Sequence, residues 1–291
     1  MHFTGTIWRP PYEAHSALLQ VTVGCTYDKC KFCSLYEHRF VLSPINEIEE
    51  DLRELSVISK NAKRVFLTGA NPFALSFEKL KELALMIMLH LPSVESIGCF
   101  SRVTDITPKT TEQLKGLQSL GYDAIIFGTE SGDDPTLEFM RKGYSSRDIV
   151  EQLNRLNSVG IRYHISYLNG LSGSGNGHRA ALSTAKTYNQ INPISISFVA
   201  LTVFPESDLH QEIAHGNFIE AGELERLREQ KIMIENLDIE TTIYANTISN
   251  TAPLVGVLPK DKVAMVKHLQ CAIDNVDEND LRRYRESIRH L

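Results

Sequence analysis

Six times along this chain a short run of apolar, often β-branched residues appears, and segments with helical spacing of their apolar residues separate the runs. That alternation limits the fold more than any other feature. The runs are LLQVTVG (18–24), RVFLTGA (64–70), VESIGCFSR (94–102), DAIIFGTESG (123–132), RYHISYLNG (162–170) and ISISFVALTVFP (194–205). Between them lie INEIEEDLRELSVISK (45–60), FEKLKELALMIMLHL (77–91), KTTEQLKGLQSLG (109–121), SSRDIVEQLNRLNSVG (145–160) and GHRAALSTAKTYNQI (177–191). Strand-then-helix units in this order predict an α/β fold whose parallel strands are joined by right-handed crossovers. Such a sheet either curls into a partial barrel or stays open, and six units fall short of the eight that close a full one. The C-terminal part reads as mostly helical (AGELERLREQKIMIENL, KDKVAMVKHLQCAIDNV, ENDLRRYRESIRHL), with one polar, β-prone stretch, ETTIYANTISN (240–250).

A chain of 291 residues has room for one large α/β barrel or two ordinary domains. Its 42% hydrophobic and 23% charged residues suit a packed globular core and argue against disorder. The net charge of −6, with no lysine- or arginine-rich run, disfavours nonspecific nucleic-acid binding. The N-terminus MHFTGTIWRPP lacks the apolar core of a signal peptide. The most apolar helical run, LALMIMLHL, is too short to cross a membrane. A cytoplasmic location is therefore expected. The five cysteines fit a reducing compartment better than a disulfide framework, because three of them are bunched within nine residues.

Those three are Cys25, Cys30 and Cys33, in VTVGCTYDKCKFCSLY (21–36) at the end of the first strand-like run. In parallel α/β folds, ligand-binding residues collect at the C-terminal ends of strands. Here the other five ends carry TGANP (68–72), FSR (100–102), TESG (129–132), NGLSGSG (169–175) and TVFPES (202–207). Structural zinc is one reading, but it favours two ligand pairs separated by a loop. Cys30 and Cys33 make one pair; a second would have to draw on Cys25 with His38, Cys99 or Cys271. Three closely spaced thiolates suit an iron–sulfur cluster better. With three cysteines, one iron of a [4Fe–4S] cube is left for a cofactor or substrate to chelate.

With these residues in view, the chain resembles the radical S-adenosylmethionine (SAM) superfamily from about residue 15 to about residue 210. That family's usual C-x3-C-x-Φ-C motif appears here as CTYDKCKFC, with four residues in the first gap and the aromatic Phe32 in place. The resemblance implies a partial (β/α)6 radical SAM-type barrel over residues 15–210, capped by a mostly helical extension over 211–291. It implies one [4Fe–4S] cluster on Cys25, Cys30 and Cys33, and SAM as the second cofactor. The TGAN segment (Thr68, Gly69, Ala70, Asn71) resembles the stretch whose backbone holds the methionyl amino group, with Asn71 where an acidic residue is often found. IFGTESG…TLEFMRKG resembles the fourth-strand segment, in which Glu130 and Ser131 face the SAM ribose or amino acid and Arg141 or Lys142 meets the carboxylate. HISYLNGLSGSG, with Asn169, resembles the fifth-strand segment beside the adenine. Arg102, ending the third strand, is a partner for Glu130 or for the SAM carboxylate.

Other residues have plainer readings. Tyr36 makes a structural aromatic contact, Cys99 is a buried small hydrophobe, Cys271 a core residue and His164 a hydrogen-bonded core histidine. Tyr244, Asn246 and Asn250 are polar groups on offer to a substrate. A second cluster would need further cysteines, so chemistry dependent on an auxiliary cluster is disfavoured, and no room is expected for a cobalamin-binding or RNA-binding module. The function implied is generation of a 5′-deoxyadenosyl radical that abstracts hydrogen from a small-molecule substrate, with an external one-electron reductant of the flavodoxin or ferredoxin type. Modification of tRNA or rRNA is the same-class alternative. A zinc-binding structural or regulatory protein without catalysis is the alternative from another class.

Overall fold

The structure is a computed structural model describing residues 1–36 and 38–288. In chain order it has β1 (Ala17–Gln20), β2 (Thr22–Val23), β3 (Val41–Leu42), α1 (Ile45–Ile58), β4 (Arg64–Thr68), α2 (Phe77–His90), β5 (Ser96–Ser101), α3 (Thr111–Ser119) and β6 (Ile125–Glu130). There follow α4 (Asp134–Phe139), α5 (Ser146–Val159), β7 (Tyr163–Asn169), α6 (Gly177–Tyr188), β8 (Ser195–Ala200), α7 (Asp208–Ala214) and α8 (Glu223–Glu235). Last come β9 (Thr241–Ala245), β10 (Leu254–Leu258), α9 (Lys262–Asn275) and α10 (Glu278–Ser287).

All six strand-like runs contain strands, with bounds that differ from the runs by a few residues. The main sheet has the order β1-β4-β5-β6-β7-β8-β9-β10 among the described residues. Strands pair in parallel from β1 to β6 and from β7 to β9, and β10 pairs antiparallel with β9. The α/β expectation holds, and the C-terminal part is mostly helical. That part also supplies two strands, of which only the first announced itself. In LVGVL of β10 the exposed residues Val255 and Val257 alternate with buried ones, as on an edge strand with one wet face.

Two compact units make up the chain. The first comprises Met1–Asp28, Ser34–Gly128 and Arg155–Tyr163. Its sheet is buried by α1 through Ile48, Leu52 and Leu55, and by α2 through Leu80, Leu83 and Ile87, the apolar stripes that their sequence spacing dictates. Both α2 and α3 start on a hydroxyl cap, Ser76 accepting from the Lys79 amide and Thr110 from the Gln113 amide. Lys109 is buried here, donating to the carbonyls of Phe73 (2.7 Å) and Asp105 (2.9 Å). It ties together the two short 3-10 turns that follow β4 and β5.

The second unit comprises Lys29–Cys33, Thr129–Asn154 and the chain from His164 onward. Its polar interior is unusual. Helix α8 buries Glu223, Arg226, Glu229 and Gln230 beside Leu227, Met233 and Ile234. The Arg226 guanidinium donates to the Leu201 carbonyl at 2.6 Å, and Arg285 of α10 reaches the same oxygen at 3.3 Å. Arg285 is also ion-paired with the fully buried Glu223. Two guanidinium groups thus converge on the first residue after β8. Burial pushes the Glu229 carboxyl up to about 7, against the lowering pull of the Tyr167 hydroxyl and the Gly170 amide that donate to it and of nearby Arg226.

Candidate functional site

Cysteines 25, 30 and 33 form no disulfide, and each is half-buried. Cys25 belongs to the first unit. It follows Gly24, whose φ is +74° and where a Cβ would lie 2.2 Å from the His38 carbonyl oxygen, so no side chain fits there. The Tyr27 amide points at its Sγ from 3.5 Å. The four-residue first gap is absorbed at Asp28, which takes a left-handed backbone (φ 46°). Asp is among the few residues that visit that region readily.

In the same unit the TGAN segment differs from the expectation in one respect. Asn71 is fully buried, and its carboxamide is committed: Nδ2 donates to Thr26 Oγ1 (2.6 Å) and to Asp105 (3.0 Å), and Oδ1 accepts from the Thr26 amide (3.2 Å). The side chain therefore braces the loop that carries Cys25 and does not present an acid-like head to a ligand. Gly69 takes φ +125°, with its would-be Cβ 2.1 Å from Thr22 Oγ1. The hydroxyls of Thr68 and Thr22 are buried without a hydrogen-bond partner among the described residues. Ala70 is half-buried beside them. A cavity of about 100 Å³ lies here, lined by Gln20, Thr22, Tyr36, His38 and Gly69 among others. Arg102 lays its guanidinium over the Tyr27 ring, 3.7 Å from the centroid, and donates to Thr104 Oγ1 at 3.0 Å.

The second unit holds Cys30, Cys33 and the residues expected from the fourth and fifth strands. A turn bond from the Cys33 amide to the Cys30 carbonyl (3.1 Å) sets these two cysteines three residues apart around one bend. Phe32 packs against the buried cluster of Met140, Leu171, Leu201, Leu209 and Phe218. The segment is anchored by its Lys31 amide on the Met140 carbonyl (3.1 Å) and by the Leu209 amide on the Lys31 carbonyl (2.7 Å). Glu130 has φ 62°, a left-handed backbone uncommon outside glycine. Its carboxylate accepts from Ser166 Oγ at 2.9 Å and lies 3.8 Å from the Lys142 ammonium. Burial alone would pull Lys142 down. The electrostatic pull of the Tyr144, Cys30 and Glu130 groups outweighs it and holds the ammonium above its ordinary range.

Ser131 is buried and takes part in a hydroxyl pair with Thr184 (3.2 Å). Arg141 is exposed and 3.8 Å from Asp208, whereas its neighbour Lys142 is the buried cation. Asn169 donates to the Arg226 carbonyl at 2.9 Å and leaves its buried Oδ1 without a partner among the described residues. His164 is the core histidine expected, bonded to Ser195 (2.7 Å), and Cys99 is fully buried with its thiol pushed up. Cys271 is exposed, contrary to the core expectation: its helix α9 buries Met265 and Leu269 and leaves Cys271 off that face. Asn250 is spent on the Phe198 carbonyl (2.8 Å) and Thr247 (2.8 Å), and so is not on offer to a substrate.

Among the described residues no three His, Cys, Asp or Glu side chains are gathered into a ready-made metal-holding set. The donor chemistry nonetheless fits an iron–sulfur group: three half-buried thiols within nine residues, one with an amide aimed at its sulfur. The residues that sequence reasoning missed are Thr26, Tyr27 and Asp105 in the first unit and Tyr144 and Ser166 in the second. Only the tyrosines could have been suspected, from their place near the cysteines and the RKG segment.

The sequence model of the Radical SAM superfamily matches residues 19–179. The chain is 25% identical over 138 residues to the protein named heme chaperone HemW of Bacillus subtilis (strain 168), a match covering 45% of this chain and 36% of that protein. Among solved structures it is similar to the radical S-adenosylmethionine methyltransferase TsrM from Kitasatospora setae, determined with cobalamin and a [4Fe–4S] cluster bound. There the TM-score is 0.56 at 17% identity, covering 69% of this chain and 39% of that one. Methylornithine synthase PylB superposes with a TM-score of 0.52 at 15% identity, over 92% of this chain and 85% of that one. The chain thus spans well under half the length of HemW and of TsrM, and the likenesses to solved structures are likenesses of fold. A [4Fe–4S] cluster and SAM are the cofactors of the family and of its structures. With the family match covering more than half of its residues, on a mostly parallel sheet that starts into the three cysteines, the chain belongs to the radical SAM superfamily.

Proposed function

We propose that this chain is a radical SAM enzyme that holds one [4Fe–4S] cluster through Cys25, Cys30 and Cys33 and acts on a small-molecule substrate. The observation that carries the reading is the set of three half-buried thiols, none in a disulfide, within nine residues, in a chain of this family. When bound, the cluster would supply one electron to the SAM sulfonium, giving the 5′-deoxyadenosyl radical that abstracts hydrogen. This chain's own residues bind and orient. The Gly69 region offers backbone groups unobstructed by a Cβ. Glu130, fixed by Ser166 and Lys142, offers a carboxylate to a hydroxyl or ammonium of SAM, and Ser131, Asn169, Arg102 and Arg141 complete the polar set. The work left to the protein is positioning and exclusion of water.

The same proposal takes residues 15–210 as the catalytic core and 211–291 as its cap, in the cytoplasm, with an external flavodoxin- or ferredoxin-type reductant. No helix among the described residues is long and apolar enough to cross a membrane. The match to a heme chaperone favours a second reading, in which the chain handles haem and need not catalyse. Anaerobically prepared protein is expected to carry about four iron and four sulfide per chain, as one cube requires, and to cleave SAM when reduced. Stoichiometric zinc without sulfide overturns the first reading. A stoichiometric haemin complex, with no SAM cleavage, selects the second.

A further inference from the structure

A lysine almost wholly removed from water is uncommon, because an ammonium gives up a large solvation energy unless negative or aromatic groups surround it. Lys142 is in that position, its side chain 5% exposed. Its Nζ lies 3.8 Å from the Glu130 carboxylate, 5.5 Å from the centroid of the Phe32 ring and 5.3 Å from that of Tyr144. Phe32 sits between the cysteine pair in sequence, one residue before Cys33. The Lys31 amide, donating to the Met140 carbonyl, ties the cysteine segment two residues upstream of Lys142. The Cys30 group acts on the ammonium electrostatically, and the whole arrangement lies within the second unit. A cation of this kind stays charged, does not wander as a surface lysine does, and faces the thiol-bearing bend through an aromatic ring.

We propose that Lys142 raises the reduction potential of the cluster that the cysteines would hold, acting at a distance through its fixed charge; this rests on the cluster reading given above. Reduction moves one electron from an external one-electron donor onto the cluster, with no bond made or broken and no proton taken up by Lys142. A cation fixed beside the Cys30 bend stabilises the extra negative charge more than it stabilises the oxidised state, and in a site shielded from water the effect is large. Removing the cation also leaves the Glu130 carboxylate without its Lys142 partner, which pushes in the same direction. The neighbouring Arg141 of MRKG is exposed, whereas Lys142 is buried. Its burial between two rings is what gives it this role.

The test compares wild type with Lys142→Met, Lys142→Gln and Lys142→Arg, each reconstituted anaerobically. Iron and sulfide are counted, folding is checked by circular dichroism, and the potential is read by titration followed through the cluster's paramagnetic signal. The proposal expects full iron and sulfide in all four proteins. It expects the equilibrium constant for reduction to fall at least about tenfold in the Met and Gln variants, about 59 mV for a one-electron couple. Most of that loss should return in the Arg variant, which keeps the charge. Equal potentials in wild type and both neutral variants overturn it. So does loss of iron from both neutral variants while they remain folded, which would make Lys142 a holder of the thiolates and not a tuner. Absence of iron and sulfide from the wild type overturns the cofactor reading itself, and is told apart because it appears before any substitution is made.

Discussion

Glu229 should make the protein lose stability as pH rises through neutrality, a direction opposite to that of most carboxylates. The group is fully buried, accepts from the Tyr167 hydroxyl and the Gly170 amide, and titrates at about 7. Its pKa is raised in the folded state, so the folded protein holds a proton that the unfolded chain has released above about pH 4.5. The stabilisation is complete below that value and is lost as pH rises through 7. A gap between an unfolded value near 4.5 and a folded value of about 7 amounts to about 3 kcal/mol, of which about 2.5 kcal/mol falls between pH 5 and pH 8. Glu229→Gln has no proton to release. It keeps an oxygen for Tyr167 and Gly170 and leaves a buried amide nitrogen short of a partner, costing about 1–3 kcal/mol at low pH. The assay is urea unfolding of the metal-free protein at pH 5, 6, 7 and 8, followed by far-ultraviolet circular dichroism. The single tryptophan, Trp8, lies in the other unit and would report on the wrong part of the chain. Wild-type stability relative to the variant should fall by about 2 kcal/mol or more across that range. Parallel pH profiles for the two proteins would refute a neutral, buried Glu229. Lys109, which burial lowers to about 8, contributes with the opposite sign near the top of that range, and taking the difference from the variant, which keeps Lys109, cancels it.

Cys25→Ala, Cys30→Ala and Cys33→Ala should each abolish bound iron and sulfide, while Cys99→Ala and Cys271→Ala leave both unchanged; loss of iron from Cys271→Ala would break the ligand assignment. Glu130→Ala should keep the iron but weaken SAM binding roughly ten- to a hundredfold, as expected for the loss of a charge-assisted hydrogen bond. A SAM titration followed by the cluster's paramagnetic signal measures this, and an unchanged midpoint removes Glu130 from the site. Arg285→Met should destabilise the second unit by about 3 kcal/mol, because it removes the ion-pair partner of the buried Glu223 carboxylate and leaves it the more distant Arg282 at 3.9 Å. Equal melting curves would show the pair to be dispensable.

The parallel strands were legible because each is an apolar run bounded by glycine, proline or a change of period. Strand β10 was not, because an edge strand needs only half of its residues apolar and LVGVL sits next to a helix-like segment. The cysteine site was legible because its ligands are local in sequence, so spacing alone reports on it. Asn71 was read by position, and its carboxamide turned out to be turned inward onto Thr26 and Asp105, partners that are 45 and 34 residues away. Helix α8 shows the general reason for such misses. AGELERLREQK has the composition of a solvated face, and nothing local reveals that Glu223 is paired with Arg285, Arg226 with the Leu201 carbonyl, and Glu229 with Tyr167 and the Gly170 amide. Burial of a charged group is a property of its partners, and partners distant in sequence leave no mark on spacing.

The left-handed backbone at Asp28 also locates the surplus residue of the four-residue gap. Thr26 and Tyr27 each have an assignment, one bracing Asn71 and the other aiming its amide at Cys25, whereas Asp28 contributes a change of chain direction. Shortening the gap to three by removing Asp28 deletes the reversal together with the residue that makes it. Removing Thr26 or Tyr27 instead forfeits a contact and keeps the reversal. Insertion at that point is thus a hinge of one residue, and chains that share this spacing should place aspartate, asparagine or glycine immediately before the residue preceding the second cysteine, where side chains that resist a positive φ would strain the loop.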